Sequence, residues 1–468
     1  MNELVASMVV ILISVAVGLP FIHRFPSGDH PLLKASLALH VLASISLVLL
    51  YTAYYAAEGG DILNYHRNGV LLADAVWEDP FPRSWQLILA VFQQPSQLPF
   101  PLFGGQSGTG TMSAVTALLM MFMGNSLYGA CLALGFASFV GKLWLFEAIA
   151  GTLAPQYRRR VLVATMLVPS VVFWSAGLMK ESFALLGVCL VVAGVRKVIR
   201  GQVYAAVTAL IGAVMIGLIK PYILLPAVMA SAVWYYADKA IDPRQGFSFQ
   251  PGYLVIGAIG GVVGYLAAAS IFPEFAINSV ADSAATRREL SFGDGGGSVY
   301  SLGDTSNRTL SGQIVYAPAA LLTTLFRPTI FEVRNPLMLI SALETTVLTF
   351  LLVSAAWQRR VRSLYLSVTR SPVLLFCLAF TLLLSVGIGL GTTNFGTLSR
   401  YRIPVMPFFA TLVMVWSGGE AVAATIAEKK QASPQDGGAP VQRRRGGAPS
   451  AGVGVPRRRR GAATVVAG

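Results

Sequence analysis

Charge is what this sequence has least of. Asp, Glu, Lys and Arg make up only 12% of its 468 residues, about half the share of a soluble domain. That excludes an ordinary soluble globule. Acids are fewer than bases, 21 against 35, so carboxylates for proton transfer are scarce. The three cysteines, Cys131, Cys189 and Cys377, all lie inside apolar runs. They form neither a disulfide framework nor a metal spacing, and packing is their expected role. The histidines and carboxylates show no metal-ligand spacing either, so no metal site and no cofactor is assigned. The glycine loop Gly293-Asp294-Gly295-Gly296-Gly297 does not cradle phosphate, since no strand precedes it and no helix start with Lys-Ser/Thr follows. The opening Met1-Asn2-Glu3 lacks the positive leader of a secretory signal, and the first apolar run is expected to be a retained span.

What is there is apolar. Hydrophobic residues reach 55% and the mean hydropathy is +0.65. Repeated apolar runs, each long enough to cross a ~30 Å hydrocarbon core, predict an all-α polytopic membrane protein with about eleven transmembrane helices. The expected spans are Leu4–Phe21, Ala35–Ala56, Leu127–Ala150, Val161–Ala176, Glu181–Val195, Val203–Leu218, Pro221–Ala237, Tyr253–Ile271, Leu337–Trp357, Val373–Gly391 and Ile403–Val422. Two long polar loops, 57–126 and 272–335, interrupt them. In the first, prolines and Gly104–Gly110 break the chain, and short interfacial helices are expected at Arg83–Phe92 and Thr111–Met123. The segment 161–176 would reach only about 24 Å as a helix. The turn from Pro169 to Ser182 is therefore expected in a recess. Residues 1–427 form the transmembrane domain. The tail, 428–468, is rich in Gly, Pro, Ala and Arg and cannot bury a core.

The net charge of +14 gives orientation and contact with anionic lipid through the basic tail, not nucleic-acid binding. With eleven spans the basic loops Gln156–Arg160, Arg196–Arg200, Asp238–Arg244 and Gln358–Arg362 all fall on one side, together with the Arg-rich tail. That side is expected to be the cytoplasm, with the C-terminus there and the N-terminus and both long loops outside.

Cations on the opposite face run against this orientation signal. Lys180, Lys220, Arg287, Arg288, Arg308, Arg327, Arg334, Arg400 and Arg402 lie where a lipid phosphate or pyrophosphate would sit. Arginine grips phosphate through its planar fork and lysine acts as a point charge. Against them stand few acids. Asp61 follows Gly59-Gly60 and precedes Tyr65 and His66; it is the expected general base, since an ionised carboxylate accepts a proton from an attacking hydroxyl. Asp74, Glu78 and Asp79 are alternatives in the same loop. Adjacent charges suggest ion pairs, Lys180 with Glu181 and Glu332 with Arg334. Glu344 falls within a span and is expected to face protein or a water-filled cavity, because a charge in lipid is costly.

Asp61-Ile62-Leu63-Asn64-Tyr65-His66, Met123-Gly124-Asn125-Ser126, Phe173 to Glu181 and Arg400-Tyr401-Arg402-Ile403-Pro404 resemble segments of multispanning glycosyltransferases of the GT-C type and related bacterial polysaccharide polymerases. The chain departs from that pattern in lacking a second acid directly after Asp61. The resemblance implies a bacterial cytoplasmic-membrane enzyme that moves sugar from a polyprenyl-(pyro)phosphate carrier to a saccharide or lipid-linked acceptor on the extracytoplasmic face. It implies Asp61 as the catalytic residue. The expected substrate-binding residues are Tyr65, His66, Lys180, Glu181, Lys220, Arg327, Arg334, Glu344, Arg400 and Arg402. Two alternatives stand beside it: a transporter or flippase for a lipid-linked saccharide, and a noncatalytic membrane subunit of an envelope pathway.

Overall fold

Apolar runs in lipid must satisfy every backbone N–H and C=O internally, and the helix does so within one segment. The computed structural model describes residues 3–55, 60–242, 310–334, 336–358 and 368–417, with isolated positions at 246–248, 251–252, 255, 286, 299–300 and 302. All fall within one compact unit, Met1–Val422. Most of the expected span 253–271, the glycine loop, Arg244, Arg287, Arg288, Arg308, the basic segment 359–362 and the tail lie outside the described residues.

The helices run α1 (Glu3–His23), α2 (His30–Leu49, prolonged by the π-turn Leu50–Tyr54), α3 (Asp61–Glu78), α4 (Pro80–Val91), α5 (Gly108–Met123), α6 (Leu127–Ala150), α7 (Arg158–Met166), α8 (Pro169–Trp174) and α9 (Lys180–Ile199). They continue as α10 (Ala206–Ile219), α11 (Leu224–Ala240), α12 (Leu310–Ile314), α13 (Ala317–Phe326), α14 (Pro336–Gln358), α15 (Pro372–Leu390), α16 (Phe395–Tyr401) and α17 (Met406–Ser417). A two-stranded ribbon pairs Ile241 with Phe247 and Asp242 with Gly246.

Among the described residues six helices are long and apolar enough to cross a membrane: Glu3–His23, Ser27–Tyr54, Leu127–Ala150, Lys180–Ile199, Met338–Gln358 and Pro372–Leu390. Four shorter apolar helices accompany them: Gly108–Met123, Val203–Ile219, Ala317–Phe326 and Met406–Ser417. The protein is thus a helical membrane protein, with fewer full-length spans on view than the expected count.

The centre of the bundle is α6, which packs against α1, α2, α7 and α9. Ser126 caps it by accepting from the Gly129 N–H at 2.9 Å. The Glu3 carboxylate brings an anion to this end, accepting from the Ser126 hydroxyl at 2.5 Å and the Leu127 N–H at 3.0 Å, where the helix dipole favours negative charge. Helices α9 and α10 touch backbone to backbone. A Cβ on Gly212 would lie 2.4 Å from the Gly187 carbonyl oxygen, so this crossing requires small residues on both sides.

Two expectations change here. The expected span 161–176 is not continuous. It ends as α7 at Met166 and restarts as α8 at Pro169, because proline has no N–H to give and biases Val168 away from the helical region. Its extended partner keeps the backbone satisfied: Glu344 of α14 accepts from the Ser170 N–H at 2.9 Å and the Ser170 hydroxyl at 2.8 Å. The first long loop also holds more order than expected. Besides α4 and α5 it contains α3, which starts at Asp61 itself and buries Ile62, Tyr65, Gly69, Leu72, Ala73 and Val76 against α5.

The two ends of the bundle are tied down differently. At one end Arg158 pairs with Asp29 at 2.6 Å, Arg196 donates to the Ala148 carbonyl at 2.5 Å and Arg200 to the Gly151 carbonyl at 3.3 Å. At the other end the starts of α6 and α9 meet the finish of α10, and α3 to α5 cover them. Gln93 donates there to the Leu218 carbonyl at 2.7 Å.

Candidate functional site

The site grows from the first residue of α3. Gly60 precedes it in extended conformation, and a Cβ there would come within 2.3 Å of the Tyr51 ring. Glycine therefore lets the chain pass against the aromatic end of α2 and presents Asp61 at the helix start. Facing it is Arg400, in the last turn of α16, a short helix capped by Asn394, whose side chain accepts from the Gly396 N–H at 2.7 Å. Arg400 Nη2 donates to Asp61 Oδ2 at 2.6 Å.

Behind Arg400 stands a second carboxylate. Glu181 Oε1 lies 3.4 Å from Arg400 Nε and accepts from Lys220 Nζ at 2.9 Å. Glu181 is buried, as is Lys220, whose ammonium sits 4.3 Å from the centre of the Tyr401 ring. The Lys180 ammonium donates to the Thr109 hydroxyl at 2.9 Å and lies within electrostatic reach of Asp61, Glu181, Lys220 and Arg400. Three cations thus gather around two carboxylates. Burial alone would pull the Arg400 guanidinium down, but Glu181 and Asp61 outweigh it and hold Arg400 well above its ordinary range. Arg400 stays charged. The Tyr65 phenol is pushed far above its ordinary value by burial, then by the Asp61 and Glu181 carboxylates, and stays protonated.

Asp61 and Arg400 lie on the wall of a cavity of about 320 Å³, lined also by Tyr51, Tyr55, Gly60, Trp174, Met338, Asn394, Gly396, Thr397 and Ser399. The Arg400 guanidinium is 5.6 Å from the Trp174 ring centre. Among the described residues the lining combines aromatic faces, neutral hydroxyl and amide groups, one carboxylate and one cation.

The structure brings together Asp61, Tyr65, Lys180, Glu181, Lys220 and Arg400 of the expected residues. The others lie elsewhere. His66 Nε2 bonds the Asn125 carbonyl at 2.9 Å and ties α3 to the turn after α5. Arg402 is fully buried and donates to the carbonyls of Arg327 at 2.7 Å and Thr324 at 3.3 Å. Arg327 pairs with Glu332 and lies over the Phe395 ring at 4.8 Å. Arg334 is exposed. Glu344 is buried on Ser170, as described above. Neither expected neighbour pair forms: Glu181 pairs with Lys220 and Arg400 rather than Lys180, and Glu332 with Arg327 rather than Arg334.

The cavity wall itself went unrecognised in the sequence. Its aromatic part was visible as Tyr51, Tyr54 and Tyr55 closing an apolar run, of which Tyr54 turns outward. The residues from Asn394 to Ser399 carry no signal beyond a capping asparagine. Among the described residues no group of three or more His, Cys, Asp or Glu is placed to hold a metal ion. No family model, no curated protein and no solved structure matches the chain.

Proposed function

We propose that the protein is a membrane glycosyltransferase that uses a polyprenyl-phosphate-linked sugar at the outer face of the cytoplasmic membrane. The observation that carries this is the Asp61–Arg400 pair on the wall of an aromatic cavity at the end of a membrane bundle. A carboxylate and a guanidinium side by side are what the transfer needs. The acceptor oxygen forms a bond to the anomeric carbon while the bond from that carbon to the phosphate oxygen breaks. The electron pair leaves with the phosphate, Arg400 stabilises the growing charge, and the acceptor proton passes to Asp61. Tyr51, Tyr55 and Trp174 offer flat apolar faces for the sugar ring, and Asn394, Thr397 and Ser399 offer hydrogen bonds to its hydroxyls.

The test is transfer of sugar from a polyprenyl-phosphate donor by the purified protein in lipid discs. Wild-type protein turns over and a folded Asp61→Asn protein does not. Full turnover by Asp61→Asn removes Asp61 from the mechanism.

A transporter reading has one observation in its favour, the helix broken between α7 and α8 beside the buried Glu344. Broken helices of this kind form substrate sites in transporters. Movement of the intact lipid-linked sugar across vesicles without bond cleavage would favour it.

A further inference from the structure

We propose that the cavity-facing edge of Arg400 is a phosphate-binding site for which Asp61 is the built-in competitor, so that an arriving phosphate displaces Asp61 and thereby frees the base. This rests on the proposed function and deepens it.

The two carboxylates on Arg400 are not equivalent. Glu181 has 1% of its side chain exposed and Asp61 has 36%. Glu181 is also held by Lys220, so moving it away from Arg400 would pull at a second, buried ion pair. Asp61 is held by one hydrogen bond at the cavity wall and regains water when it swings away. Exchange therefore falls on Asp61. The incoming group must be an oxyanion, because the guanidinium edge that binds carboxylate binds phosphate in the same geometry. Among the described residues that line the cavity, Arg400 is the cation and Asp61 the acid. The adjacent Ser399 hydroxyl is buried and, among the described residues, has no hydrogen-bond partner; it is available as a neutral donor to the same group.

The exchange gives the site an order. While Asp61 holds Arg400, its Oδ2 is occupied by the guanidinium and is not offered to an acceptor hydroxyl. Once phosphate occupies Arg400, the carboxylate is released beside the bond that will break. Donor binds before acceptor, and an acceptor hydroxyl meets an active base only when a donor is present.

Binding separates this from a base that merely stands near the phosphate. Asp61→Asn removes the competitor, and an apparent affinity reduced by self-occupancy rises when that state is abolished. The probe is a polyprenyl monophosphate without sugar, which cannot turn over, titrated against protein in lipid discs. Asp61→Asn is expected to bind it about threefold or more tightly than wild type, and Arg400→Ala to lose it. The uncharged polyprenol is expected to bind all three proteins alike. Asp74→Asn, an acid on the same helix paired with Asn125 at 3.0 Å, controls for net charge and is expected to leave the affinity unchanged. The same gain with inorganic phosphate supports exchange by the head group alone. Equal or weaker binding by a folded Asp61→Asn protein, or an equal gain in Asp74→Asn, overturns the exchange and leaves the donor site standing. Absence of binding to wild type overturns both.

Discussion

Arg400 Nη2 and Asp61 Oδ2 meet at 2.6 Å across 339 positions of sequence. The pair closes the first long loop onto the short helix before the last apolar segment. Glu181, from a third part of the chain, holds the other face of the same guanidinium. One planar group thus joins three segments, by a hydrogen bond to Asp61 and an ion pair with Glu181.

Arg400→Lys separates charge from geometry. Lysine keeps the charge but is a single point that cannot present Nε to one carboxylate and Nη2 to another. Transfer is expected to fall by roughly 10²-fold, the scale of losing one transition-state donor. The protein should still fold, since Glu181 keeps Lys220. Turnover within a few-fold of wild type would show that charge alone suffices.

The Glu181–Lys220 pair is buried on both sides, so the two partners depend on each other. Removing one leaves a buried charge unpaired, at a cost of about 3–5 kcal/mol. Glu181→Gln is therefore expected to lower thermal stability more than the double variant Glu181→Gln/Lys220→Met, which removes both charges. Melting measured in the same lipid for both single variants and the double variant decides it. Additive losses would mean that the two side chains act independently.

Glu332 supplies a pH dependence outside the spans. Burial pushes its carboxyl up, but hydrogen bonds from Arg327 and Thr329 outweigh this and hold it below the ordinary value. A depressed carboxylate stabilises the folded state above its unfolded pKa, about 4.3, and the contribution is lost as pH falls through the folded value. Wild type is thus expected to melt higher than Glu332→Gln at pH 7, and the gap should close in acid below that window. A gap that stays constant with pH would assign the effect to packing.

Helix α6 was legible to the residue, Leu127–Ala150, because a long apolar run, charged only at Lys142 and Glu147, begins after a capping serine and stops at a glycine. Helix α3 was not. Asp61, Asn64, Arg67 and Asp74 load its outer side with polarity, and the apolar residues at spacings of three and four are masked by them. The break at Leu167–Val168 sits inside an apolar run, so hydropathy passes over it although Pro169 marks it. The Lys180–Glu181 pairing fails for a geometric reason. Consecutive helical residues point about 100° apart, so Lys180 and Glu181 do not face each other. Glu181 finds Lys220 and Arg400 across the bundle instead, and no spacing in the sequence records that.

Lys142 tests the broken segment. It lies inside α6, fully buried, and donates to the Ser175 hydroxyl at 2.8 Å; among the described residues no carboxylate pairs with it. Ser175 follows Trp174, which forms part of the cavity wall. An ionisable group at such depth is expensive to keep. Methionine has similar length and no charge, and replacing buried charge with apolar packing is often neutral or stabilising. If Lys142 served stability, Lys142→Met would lower the melting temperature. If it holds the Trp174 turn in place, Lys142→Met is expected to melt at or above the wild-type temperature while transfer falls by roughly tenfold or more, since small misplacements of a site residue cost rate. Lys142→Arg, which keeps a donor for Ser175, should recover part of the rate. A variant that loses stability and keeps its rate would assign Lys142 to the fold alone.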